Sequence, residues 1–124
     1  MMDLPALVSI VDDDESVRES LPDLLKMFGL ASQTFSSAEE FLASDAISRT
    51  QCLILDIAMS GMGGPGLQQE LNRRKVKIPI VFITGNRDET LLSRLIEEGA
   101  TACLIKPFSD AAMLDALNTA LPAK

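Results

Sequence analysis

Four acids in succession, Asp12, Asp13, Asp14 and Glu15, follow an apolar run that ends in Ile10-Val11, and a fifth, Asp56, follows Leu53-Ile54-Leu55. A third apolar run closes in Thr84-Gly85 and a fourth in Lys106-Pro107. If Asp12, Asp13 and Asp56 share one pocket they repel: two like charges about 4 Å apart, at an effective dielectric of about 20, oppose each other by about 4 kcal/mol. A raised pKa is one relief and a bound divalent cation is the other. Oxygen ligands in a chain without histidine suit magnesium, which keeps several waters and needs only one or two carboxylates. A magnesium ion beside a carboxylate, with a lysine opposite, can stabilise a phosphoryl group as it moves onto that carboxylate. On this reading Asp56 is the nucleophile, Lys106 pairs with phosphoryl oxygens and the Thr84 hydroxyl donates to another. Gly85 would let its loop approach closely.

Taken singly, each of these residues has a blander reading. An acidic run is more often a helix N-terminus with a capping aspartate than a metal site. Asp56 alone could be a loop acid or a cap, Thr84-Gly85 a strand end and turn, and Lys106-Pro107 a surface lysine before a turn. The bland account fails jointly, because four chance placements at four separate strand ends are improbable.

The elements that must position these residues follow from hydrophobic period. Short apolar, β-rich runs at Leu7 to Val11, Ala31 to Phe35, Cys52 to Leu55, Ile80 to Thr84 and Ala102 to Ile105 alternate with segments of helical spacing. The first, third and fourth runs are almost continuously apolar, as strands covered on both faces should be. The helical segments run from about Glu15 to Phe28, closed by Gly29; from Ser37 to Ser44, opened by the capping box Ser37-Ala38-Glu39-Glu40; from near Pro65; through Leu91, Leu92, Leu95 and Ile96 to Gly99; and from Ser109 to Pro122. Pro22 sits inside the first helix, where it predicts a kink or a late start. Five strands alternating with five helices predict an α/β fold, a doubly wound parallel sheet with helices on both faces and the site outside the carboxyl ends of the strands.

Composition narrows the function classes. At 124 residues the chain is the size of one domain, expected to span 1–124. It is 47% hydrophobic and 23% charged, as a globular protein that folds alone would be. A net charge of −7, from 18 acids and 11 bases, argues against direct nucleic-acid binding. The short cluster Arg73, Arg74, Lys75 and Lys77 reads as the solvated end of a helix. Cys52 and Cys103 lie in apolar runs and read as core thiols in a reducing, cytoplasmic compartment. Met59 and Met62 read as loop packing. No secretory leader or membrane span is expected.

With these residues in hand, the chain resembles a response-regulator receiver domain along nearly its whole length. The resemblance rests on Val11-Asp12-Asp13-Asp14 with Val17-Arg18, Leu55-Asp56-Ile57-Ala58-Met59, Gly64, Ile83-Thr84-Gly85 and Lys106-Pro107-Phe108. It implies a flavodoxin-like strand order 2-1-3-4-5, a cis peptide at Lys106-Pro107, and magnesium held by Asp12, Asp13, Asp56 and the backbone carbonyl of Ala58. It further implies a sensor histidine kinase whose phosphohistidine is the donor. The opening Ile10-Val11-Asp12-Asp13-Asp14-Glu15 is similar to the FixJ-type subgroup, whose receivers usually precede a helix-turn-helix output domain. Phosphorylation is then expected to draw Thr84 inward and shift the fourth helix, fifth strand and fifth helix, a face that would dimerise or release a partner.

Three departures stand out. Ser60 occupies a usual proline position, Gly61, Gly63, Gly64 and Gly66 predict a flexible loop after Asp56, and Cys103 stands where an aromatic switch residue is usual. Among alternatives, a hydrolase working through an aspartyl-phosphate would want a second acid two residues after the nucleophile, where Ala58 stands. Beyond self-catalysed phosphotransfer and slow self-dephosphorylation, no enzyme activity is expected. A degenerate receiver that only binds partners is disfavoured by the intact polar set. An aromatic content of 4% leaves little to stack a flavin.

Overall fold

The structure, a computed structural model, describes residues 6–85 and 87–121. Five strands, β1 (Leu7–Val11), β2 (Ala31–Phe35), β3 (Cys52–Asp56), β4 (Ile80–Thr84) and β5 (Ala102–Ile105), form one parallel sheet in the order β2-β1-β3-β4-β5. The helices are α1 (Glu15–Met27), α2 (Ala38–Ala43), α3 (Gly64–Arg73), α4 (Glu89–Glu97) and α5 (Asp110–Ala120). A 3-10 turn at Asp45–Ser48, which no sequence signal marked, links α2 to β3.

The apolar run of β3 is buried along its whole length because its two faces feed two cores. Leu53 and Leu55 turn toward Phe41, Leu67, Leu71 and Leu95, under α2, α3 and α4. Cys52 and Ile54 turn the other way, toward Leu21, Leu25, Met113 and Leu117, under α1 and α5. The edge strands β2 and β5 are only partly buried, as their more polar or shorter sequences allow.

Helix ends follow their local chemistry. The Asp14 side chain caps α1 by accepting from Ser16 N–H, so the bland reading is correct for that member of the acidic run. Ser37 caps α2 by accepting from Glu40 N–H, while the Glu40 carboxylate accepts from the Ser36 hydroxyl. Gly29 and Gly99, at φ +79° and +114°, end α1 and α4 in the left-handed region. At the end of α3 that conformation falls on Lys75, at φ 60°, with Val76 N–H returning to Leu71 O. Helix α1 starts at Glu15 and is continuous through Pro22, so the expected late start does not occur. Pro122, the expected stop after α5, lies outside the described residues.

The basic cluster at the end of α3 is a solvated helix end, and Arg73 and Arg74 both close on Glu70 there. Their guanidinium groups hold the Glu70 carboxyl down at about 2. Among the described residues no helix is long and apolar enough to cross a membrane.

Candidate functional site

Parallel register carries the chemistry to one edge. Val11 pairs with Leu55, Asp56 with Ile83 and Thr84 with Ile105, so β1, β3, β4 and β5 end side by side and the residues that follow them face a common pocket. The three sequence-predicted acids meet there: Asp12, Asp13 and Asp56 each bring a carboxylate oxygen within 4.8 Å of the others. Asp12 and Asp56 are buried while Asp13 faces solvent. Lys106 reaches in from the end of β5, its Nζ 3.6 Å from Asp12 Oδ2 and 4.0 Å from Asp56 Oδ1.

Each member is held by its surroundings. Asp12 Oδ1 accepts from Asp14 N–H at 2.9 Å, and the Asp12 carbonyl accepts from Arg18 Nη1 at 2.9 Å. Asp56 Oδ1 accepts from Ala58 N–H at 3.3 Å, which keeps Ala58 beside that carboxylate. Thr84 is buried at the end of β4, and its carbonyl accepts from Lys106 N–H at 2.7 Å. The Lys106-Pro107 peptide is cis, as the resemblance implied.

The electrostatics are unresolved by the protein's own groups. Burial first, then the neighbouring Asp12 carboxylate, push Asp56 from 3.8 up to about 6, while Lys106 pulls the other way. Among the described residues Asp12 Oδ2 is buried without a hydrogen-bond partner, and the Lys106 ammonium is the cation beside it at 3.6 Å. One ammonium against three carboxylates leaves negative charge in excess, so an all-oxygen donor set with an orphaned buried oxygen fits a hard divalent cation.

The glycines near the site differ in their surroundings. Among the described residues nothing lies within 4 Å of where a Gly85 Cβ would sit, so no protein group crowds that position. The crowded position is Gly64, where a Cβ would lie 2.5 Å from Asp56 O, 3.0 Å from Ile57 Cα and 3.0 Å from the Phe82 ring. Gly64 and Gly66 belong to α3, and of the four glycines only Gly61 has a positive φ, at +73°. Two side chains hydrogen-bond to the loop after Asp56: Asp13 Oδ2 accepts from Ser60 N–H at 3.3 Å and Glu39 Oε2 from Met62 N–H at 3.2 Å. Met59 and Met62 pack on the α2/α3/α4 core, as expected of loop packing. Cys52 is buried and Cys103 half-buried, and both are free thiols. Burial pushes the Cys52 thiol up to about 12, which makes it inert.

A parallel 2-1-3-4-5 sheet whose carboxyl edge gathers an acid pair, an acceptor-type aspartate, a threonine and a lysine defines a receiver architecture, and the chain belongs to the response regulator receiver domain family, whose model matches residues 8–118. It is 43% identical over 115 residues to Nodulation protein W of Bradyrhizobium diazoefficiens, covering 93% of this chain and 51% of that protein. Among solved structures it is similar to the response regulator StyR, with TM-score 0.87 and 42% identity over 95% of this chain and 60% of that one. The FixJ-N structure matches over 100% of both chains with TM-score 0.84 and 36% identity, in keeping with the FixJ-type subgroup. The chain spans about half the length of the curated relatives it matches.

Proposed function

We propose that residues 1–124 form one receiver domain that takes a phosphoryl group onto Asp56 from the phosphohistidine of a sensor histidine kinase. The observation that carries this reading is the buried Asp12 Oδ2, without a hydrogen-bond partner, in a pocket where three carboxylates converge on one ammonium. Asp12, Asp13, Asp56 and the Ala58 carbonyl would hold magnesium. When bound, the ion offsets the carboxylate charge and stabilises the charge on the transferring phosphoryl oxygens. An Asp56 carboxylate oxygen attacks phosphorus while the P–N bond to the donor imidazole breaks, its electron pair returning to the ring nitrogen. Lys106 pairs with a phosphoryl oxygen, and the Thr84 hydroxyl, at the neighbouring strand end, donates to another. With Ala58 where a hydrolase would carry its second acid, loss of the phosphoryl group is left to slow attack by water.

The product shifts the α4, β5 and α5 face, which then dimerises or exchanges a partner. That face exposes apolar surface at Ile96 (43%) and Leu114 (37%). A net charge of −7 argues against direct nucleic-acid binding by this domain. Two free thiols suit the cytoplasm.

Incubation with acetyl phosphate and magnesium, read by intact mass or a phosphate-affinity gel, tests the assignment. The wild-type protein should gain one phosphoryl group, chelation should block the gain, and Asp56→Asn should lose it. Labelling of Asp56→Asn would show that the acceptor lies elsewhere.

A further inference from the structure

We propose that Glu39 is a positioning residue for phosphoryl acceptance, its carboxylate pegging the Gly61–Met62 peptide and so the loop that follows Asp56. This rests on the reading of Asp56 as acceptor. Residues Ile57 to Gly63 connect β3 to α3; beyond the bonds of Ile57 N–H to Ile83 O and Ala58 N–H to Asp56 Oδ1 at its start, three hydrogen bonds shape the segment. At the base Gly64 N–H donates to Ile57 O at 3.1 Å, in the middle Ser60 N–H donates to Asp13, and near the far end Met62 N–H donates to Glu39.

The Glu39 contact is shaped by the backbone opposite. Gly61, at φ +73°, turns the chain so that Met62 N–H faces α2, and a Cβ on Gly61 would lie 3.1 Å from Glu39 Oε2. A side chain at 61 would therefore suffer both the left-handed backbone and the carboxylate. Beyond the peg, Met62 packs on the core, with its Cγ 3.1 Å from where a Gly66 Cβ would be.

The three holds differ in what they survive. Asp13 belongs to the three-carboxylate cluster, so an ion there competes with Ser60 N–H for the same oxygens. Glu39 lies outside that cluster, so an ion bound there would not compete for its oxygens. Ala58, whose N–H is on Asp56 Oδ1, rides on this loop, and nearby glycines make an unheld loop entropically costly to order. Glu39 thus keeps Ala58 against the acceptor when Asp13 lets go.

Glu39→Ala and Glu39→Gln in the 124-residue protein test this, since an amide oxygen can still accept from Met62 N–H. In chelated protein, hydrogen exchange at the Met62 amide should speed by roughly three- to tenfold in Glu39→Ala and stay near wild type in Glu39→Gln. The magnesium concentration for half-maximal labelling by acetyl phosphate should rise by a similar factor in Glu39→Ala, with most of the loss recovered at saturating magnesium. Unchanged Met62 exchange in Glu39→Ala, an unchanged half-saturation, or equal impairment in Glu39→Gln each overturns the role. Wild-type protein that takes no label overturns the acceptor reading and the role with it. Labelling of the wild type with no change in Glu39→Ala overturns the role alone.

Discussion

Gly64 lies so close to Asp56 that a β-carbon on it would stand 2.5 Å from the Asp56 carbonyl oxygen. The neighbours are backbone and the buried Phe82 ring, which cannot swing aside as a long side chain would. Relief requires either β3, which carries Asp56, or the first turn of α3 to move. Gly64→Ala should therefore destabilise the protein by ~2 kcal/mol or more. Gly85→Ala, with open space around it, should cost under ~1 kcal/mol. Urea melts of the two variants check the contrast, and equal midpoints would show that the strand end yields freely.

The raised pKa of Asp56 makes stability depend on pH. Its folded value of about 6 lies above its ordinary 3.8, so between these values the folded protein binds more protons than the unfolded one. In metal-free protein this contribution is fully present below the unfolded value, falls as pH rises through the window and is gone above the folded value. Asp56→Asn removes the cost of the buried charge. In chelator at pH 7 it should be more stable than wild type by ~1–3 kcal/mol, and the gap should close toward pH 4. Denaturation at the two pH values measures this, and a variant less stable at neutral pH would contradict the crowding.

The layout of this site was legible in the sequence because strands buried on both faces leave an unbroken apolar signature, and the polar residue ending each run stands out against it. Asp12, Asp56, Thr84 and Lys106 were found that way, and the register places them together. The strand order came from resemblance, since period alone does not order strands. What period could not reveal were contacts set by three-dimensional approach. Glu39 reads as one more acid in a helix start, Gly64 as one of several loop glycines, and Lys75 carries no mark of its left-handed backbone. Gln68 looks like a surface glutamine, yet it is 1% exposed.

That glutamine joins α3 to the end of α4. Gln68 Nε2 donates to Leu95 O at 3.2 Å, and Asn72 Nδ2, one turn on, donates to Glu98 O at 3.3 Å. Leu95 O also accepts from Ala100 N–H at 3.0 Å, while Gln68 Oε1 is buried without a hydrogen-bond partner among the described residues. Replacing Gln68 with Leu keeps most of the volume, removes the orphaned oxygen and leaves Leu95 O satisfied. Gln68→Leu should be neutral or stabilising by up to ~1 kcal/mol, whereas Gln68→Ala, which opens a cavity, should cost ~2 kcal/mol. If both variants lose stability equally, the hydrogen bond to α4 outweighs the orphaned acceptor.

Cys103 offers a way to watch α4. It pairs in register with Phe82, two residues before Thr84, so Cys103 and Thr84 lie over the same sheet face. Beside Cys103 is an open cavity of about 500 Å³ lined by Leu92, Ser93, Ile96 and Glu97. An aromatic ring fits that space without displacing buried groups, so Cys103→Tyr should change stability by no more than ~1 kcal/mol. The chain has no Trp or Tyr, which makes the new phenol the sole source of tyrosine fluorescence. If phosphorylation moves Thr84 and α4, adding acetyl phosphate with magnesium should change that emission, and the change should vanish in Cys103→Tyr combined with Asp56→Asn. Emission that stays constant while mass analysis shows full labelling would mean that the cavity beside β5 does not respond to phosphorylation.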